Sequence, residues 1–157
     1  MSHPVVSEID STQVAATWPV MHQLRPHLDL AQYVAAVARM RETDGYRLAA
    51  ASLDGVIGAV AGFRVMEMLY CGRILYVDDL VSDAGMRSRG LGKALVDWLT
   101  QQACSLGCGQ LHLDSGLQRL DAHRFYERES MAKTAFHFAS RIDAAGRHPV
   151  APVKVAT

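Results

Sequence analysis

The hydrophobic period changes once near the middle of the chain, and that change limits the folds open to it. Residues 46–52, 56–68 and 73–81 read as three strands, the third with Ile74, Leu75, Tyr76 and Val77 at its centre. Asp54-Gly55 is a two-residue hairpin signal, and Cys71-Gly72 marks the next turn. Gly58 and Gly62 weaken the second strand and mark a candidate bulge. From Leu91 the period becomes helical: Leu91, Ala94, Leu95, Trp98, Leu99 and Gln102 share a face, and Gly107 is a natural stop. Leu111 and Leu113 then alternate with His112 and Asp114, which reads as a strand. A meander followed by a helix and a further strand requires a parallel pair joined by a right-handed crossover. The expected class is α/β of the α+β type, with a mixed, mostly antiparallel sheet flanked by helices.

The flanks add to this frame. Residues 4–9 read as a short strand. A helix carrying Trp18, Met21 and Leu24 follows, with Pro19 expected near its first turn and Pro26 interrupting it. Asp29 reads as the cap of a second helix whose Leu30, Tyr33, Val34, Val37 and Arg41 follow helical spacing, ended by Gly45. Residues 120–129 read as another helix and 131–142 as a final strand, which brings the expected sheet to about six or seven strands. The chain of 157 residues, half of them hydrophobic, has room for one ordinary domain, expected over 1–142 with a tail at 143–157.

Sixteen Lys and Arg balance sixteen Asp and Glu, so a broad nucleic-acid surface is not expected. No apolar run is long enough to cross a membrane, and the acidic start does not read as a secretory signal. Three scattered cysteines, Cys71, Cys104 and Cys108, suit a reducing cytoplasm. The spacing of Cys104, Cys108 and His112 matches no standard zinc pattern, so no metal is expected.

The stretch Arg87-Ser88-Arg89-Gly90-Leu91-Gly92-Lys93 lies between a strand and an amphipathic helix. A helix start has unpaired N–H groups and a partial positive charge, and glycines let an anion lie against the backbone. On loop mechanics alone a phosphate cradle and a solvated basic helix start stand about level. It is neither a Walker loop nor a dinucleotide fingerprint.

With the residues before it, Leu80-Val81-Ser82-Asp83-Ala84-Gly85-Met86, this stretch resembles the acetyl-coenzyme A loop of the GNAT superfamily of N-acetyltransferases. About twenty residues on, Leu111-His112-Leu113-Asp114-Ser115 and then Ala122-His123-Arg124-Phe125-Tyr126 resemble that family's next strand and its helix with an Ala-x-x-Phe-Tyr core. Two departures stand out. Ser130-Met131 replaces the family's Gly-Phe pair, and Arg119 stands where the family often has Asn.

The resemblance implies acetyl transfer from acetyl-CoA, as co-substrate, to a primary amine. It implies a cofactor-binding set of Leu80, Val81, Arg87, Ser88, Arg89, Gly90, Leu91, Gly92, Lys93, Ser115, Arg119, Ala122 and Tyr126. Tyr126 matches the family's acid for the leaving thiolate; taken without the family it is an ordinary buried aromatic beside Phe125. Asp78 and Asp79 stand where the family often carries a basic carboxylate, and as a strand-end pair they equally fit simple solvation. In a regular strand they would face opposite ways, and a bulge would change that. Asp114, Ser115 and His112 are second candidates.

If Asp78, Asp79, Asp83 and Asp114 share a cleft, a cationic acceptor is favoured, a small amine or a lysine or N-terminal amine. The resemblance also allows a homodimer. A non-catalytic acetyl-CoA or CoA sensor is the alternative reading.

Overall fold

The computed structural model describes residues 2–146 and 152–153. The chain forms two compact units, Met1–Leu113 and Asp114–Thr157.

In the first unit five strands lie in sequence order: β1 (Val5–Ile9), β2 (Arg47–Leu53), β3 (Val56–Met68), β4 (Gly72–Ser82) and β5 (Gln110–Leu113). The first three pairings are antiparallel, and β4–β5 is parallel. The parallel step is bridged by α3 (Leu91–Ser105), as the change of period requires. The β2–β3 turn is Asp54-Gly55, with φ of 51° and 79°, the left-handed pair of a type I′ hairpin.

Helices α1 (Val14–Leu24) and α2 (Leu30–Asp44) come between β1 and β2. The Asp29 side chain accepts from the Gln32 backbone N–H and Gln32 returns a bond to Asp29, a full capping box. Gly45 closes α2 at φ 66°. Pro19 lies inside α1, whose first residue is Val14, rather than in its first turn. The helix begins earlier than its large apolar residues suggest, because Val14 and Thr17 are buried and carry the helical stripe upstream.

Both faces of the sheet are covered, so β2 reads as a continuous apolar run. Leu48 and Ala50 join Val14, Met21, Tyr33 and Val37 on one face. Ala49 and Ala51 join Ala59, Ala61, Leu91, Leu95 and Leu99 on the other. Small residues there let α3 approach closely: a Cβ at Gly58 would lie 2.5 Å from Leu91 Cδ1.

The second unit carries α4 (Leu120–Arg128). Residues 131–142 do not form the expected strand. Among the described residues the segment has no ladder partner beyond an isolated bridge from Ser140 to Pro152, and Phe136 and Phe138 are exposed. Alternation records which way side chains point, and a strand also needs a neighbouring backbone. The described sheet therefore has five strands, not six or seven.

Candidate active site

The site is organised by one irregularity in β4. Asp79 pairs with Gly62 and Val77 with Phe63, which leaves Asp78 as the extra residue of a bulge. The bulge cancels the alternation that would part the two carboxylates, and both line one cavity of about 310 Å3 beneath α1 and α2. Its wall includes Arg25, His27 and Leu28 from the connection after α1, Tyr33 on α2, and Tyr46.

Each carboxylate has a cation. Arg64 clamps Asp78 through Nε at 3.0 Å and a second guanidinium nitrogen at 2.6 Å. Arg25 donates from Nε to Asp79 Oδ1 at 2.8 Å and from its terminal nitrogen to the Asp78 carbonyl at 3.2 Å. The Tyr46 hydroxyl donates to Asp79 Oδ2 at 2.7 Å. Burial pushes the Asp78 carboxyl above its ordinary value, against the opposing pull of Arg64. Burial and the neighbouring Asp79 push the Tyr46 phenol far up, so it remains a donor.

Asp83 does not join the cavity wall. It caps a 3-10 turn at Ala84–Met86, accepting from the Gly85 N–H at 2.8 Å and from Gln23 Nε2 at 2.6 Å. Asp114 lies in the second unit, with His137 Nδ1 at 3.6 Å. Of the carboxylates in the first unit, Asp83 thus stands apart from the pair that the bulge brings together.

β4 pairs with β5 only from Ile74 to Val77. Beyond it, the β4 edge at Leu80 and Val81 faces no further strand among the described residues. Arg87, Ser88, Arg89 and Gly90 are exposed, with Ser88 at φ 63° and Gly90 at φ 78°. Gly90 precedes α3 and supplies no side-chain cap. The first helical bond there runs from the Ala94 N–H to the Gly90 carbonyl. The N–H groups of Leu91 and Gly92, ahead of that bond, take no part in the helical ladder. The Leu91 side chain fills the core, so this residue offers only its backbone. Lys93 pairs with Asp97 one turn along at 3.0 Å.

In the second unit, Ser115 Oγ is buried and has no hydrogen-bond partner among the described residues. Arg119 is exposed and precedes α4, where Ala122 is half-buried. Burial raises the Tyr126 phenol, only partly offset by Arg119, so Tyr126 keeps its proton at neutral pH. Phe125 meets it edge-on at 5.5 Å. Ser130 adopts the left-handed cap at φ 65°, and the bonds from Met131 N–H to Tyr126 and from Ser130 N–H to Glu127 complete a Schellman end. His123 is bound to the Gly116 carbonyl at 2.8 Å, and His112 to Gln110 at 2.6 Å.

The sequence reading passed over Arg25, Tyr46 and Arg64. Each is remote from Asp78 and Asp79 along the chain. The available signals were indirect: Pro26 fixes a helix end beside Arg25, and Gly62 in a strand announces close approach by another group. No cluster of three or more His, Cys, Asp or Glu side chains suited to a metal occurs among the described residues.

The family model described as Acetyltransferase (GNAT) family matches residues 12–130. The uncharacterized N-acetyltransferase YhdJ of Bacillus subtilis is 38% identical over 112 residues, 71% of this chain and 79% of that protein. The aminoalkylphosphonate N-acetyltransferase of Salmonella typhimurium is 29% identical over 97 residues, 62% of each chain. Among solved structures, an aminoglycoside N-acetyltransferase AAC(6')-Iy in complex with CoA superposes with a TM-score of 0.80 at 16% identity, covering 90% of this chain and 95% of that one.

Proposed function

The chain belongs to the acetyltransferase (GNAT) family, and on that footing we propose that it moves the acetyl group of acetyl-CoA onto the primary amine of a small molecule. The observation that carries this reading is the β4 bulge, which turns two adjacent carboxylates into one open cavity. A cavity of about 310 Å3 suits a small acceptor better than a protein chain. Asp78 and Asp79 are balanced by Arg25 and Arg64, so the acceptor need not be strongly cationic. The Salmonella relative, named for aminoalkylphosphonate, supports an amine that carries an acidic group as well.

The chain has the features a CoA thioester needs. The α3 N-terminus opens on Gly90, which carries no capping side chain, with Arg87 and Arg89 just before it, and this suits a pyrophosphate. The orphaned Ser115 hydroxyl offers a hydrogen bond that no described protein group takes up. The edge at Leu80 and Val81 offers backbone groups to an amide-bearing arm. Acetyl-CoA, when bound, supplies an acetyl thioester open to attack by an amine.

Asp78 is our candidate to take the amine's proton, because burial moves its carboxyl towards the working pH of a general base. Asp79 holds Arg25 at the cavity wall and faces the acceptor. Tyr126 matches the family's acid and keeps its proton, which fits it to protonate the departing sulfur as the C–S bond breaks and the C–N bond forms.

Two measurements test the proposal. Acetyl-CoA should raise the melting temperature of the wild type by several degrees and leave Gly90→Glu unmoved. Free-thiol release should then appear with at least one of 2-aminoethylphosphonate, glucosamine 6-phosphate, spermidine and lysine methyl ester. No melting shift at millimolar acetyl-CoA would defeat the cofactor assignment. A shift without thiol release from any of the four would identify a CoA-binding sensor instead.

A further inference from the structure

We propose that Tyr46 is a positioning residue for acetyl transfer, its hydroxyl and ring together setting where the Asp79 and Asp78 carboxylates point, with Gly62 leaving the space that admits it. The proposal rests on the reading of Asp78 and Asp79 as the groups that meet the acceptor.

Tyr46 stands between the end of α2 and the start of β2, with only 3% of its surface exposed. Its ring belongs to the core formed with Val37, Leu48 and Val60, a task phenylalanine would serve without burying a hydroxyl. That hydroxyl reaches Asp79 Oδ2 at 2.7 Å. The ring supports the other carboxylate indirectly. The Arg64 guanidinium lies 5.8 Å from the Tyr46 centroid, and the same guanidinium grips both oxygens of Asp78. One buried side chain thus connects the fixings of two adjacent carboxylates on a bulge, where the backbone ladder holds them least.

The access for this hydroxyl is built into β3. A Cβ at Gly62 would lie 1.8 Å from the Tyr46 oxygen and 2.4 Å from Cζ. Gly62 is also the residue opposite Asp79 in the ladder. The glycine therefore admits the hydroxyl at the place where its acceptor stands. Two of the other groups around the pair are already engaged. Arg25 takes Asp79 Oδ1, and the Tyr33 hydroxyl pairs with Thr17 at 2.7 Å rather than with either carboxylate. His27 stands on the cavity wall.

The test is a double-mutant cycle on kcat, using the best acceptor of the four amines named above. Tyr46→Phe keeps the ring under Arg64 and removes only the hydroxyl. It should lower kcat about tenfold, as expected for losing a hydrogen bond to a charged group, while KM for acetyl-CoA and the acetyl-CoA melting shift stay as in wild type. Tyr46→Phe added to Asp79→Asn should cost nothing further, because the hydroxyl acts through that carboxylate. Gly62→Ala, which crowds the hydroxyl but keeps tyrosine, should reproduce the kcat loss.

Wild-type kcat in Tyr46→Phe, or losses that multiply in the double variant, would overturn the positioning role. Full activity in Asp79→Asn alone would instead overturn the assignment of Asp79, and the proposal with it. The single variants therefore tell the two failures apart.

Discussion

Gly62 and Tyr46 share one small space: a Cβ on Gly62 would lie 1.8 Å from the Tyr46 oxygen, so the tyrosine is seated only because residue 62 has no side chain. Strand β3 thereby gives up packing at one position to admit a polar atom from the far side of α2. Gly62→Ala should destabilise the fold by about 1–3 kcal/mol, the usual cost of overpacking a core. Urea unfolding measures it, and an unchanged midpoint would mean that Tyr46 has room to move aside.

Arg64 opposes the burial that lifts Asp78. Removing it leaves burial and the neighbouring Asp79 as the main influences, and both raise the carboxyl further. If Asp78 is the base, Arg64→Gln should move the acid limb of the pH–rate profile to higher pH by about one unit. An acceptor of low basicity keeps the amine's own ionisation out of the window. An unmoved limb would show that another group sets it.

Ser130 occupies a left-handed cap at φ 65°. The Schellman bonds to Tyr126 and Glu127 require that conformation, and serine adopts it at a cost that glycine largely avoids. Ser130→Gly should stabilise the protein by about 0.5–1 kcal/mol. For a chain of this size that is a rise of a few degrees in melting temperature. A lower melting temperature would mean that the serine side chain has a role outside the cap.

Glu8 on β1 accepts two bonds from Arg47 on β2, at 2.6 and 2.8 Å. The Arg47 hydrogen bond, with the arginine's charge, holds the Glu8 carboxyl below its usual range. A lowered folded value means the native state favours the ionised form. The stabilisation is present above the unfolded glutamate range, near pH 4.3, and is lost as pH falls through the folded value. Glu8→Gln should therefore melt below wild type at pH 7, and the gap should close towards pH 3. A gap that persists in acid would point to packing rather than charge.

The order of elements could be read from periodicity because each is a local pattern. Asp29, Gly45, and Asp54-Gly55 are turn and cap chemistry that acts over a few residues, and all three appear as expected. Pro19 was misplaced because α1 starts on small and β-branched residues that mark no sharp boundary. The strand over 131–142 failed for a different reason: alternation is local, and a ladder partner is not.

The residues of the glycine-containing loop and the Asp78-Asp79 pair were visible in the chain because a glycine pattern and adjacent carboxylates are written in consecutive letters. What surrounds them was not. Only the folded sheet decided that a bulge at Asp78 would bring both carboxylates to one face, and that Arg25, Arg64 and Tyr46 would meet them there. Arg25 and Asp79 are 54 positions apart, and Tyr46 and Asp79 are 33. No local propensity records such distances. They close because burial of two apolar sheet faces fixes the register of β3 on β4, and the register then places each side chain.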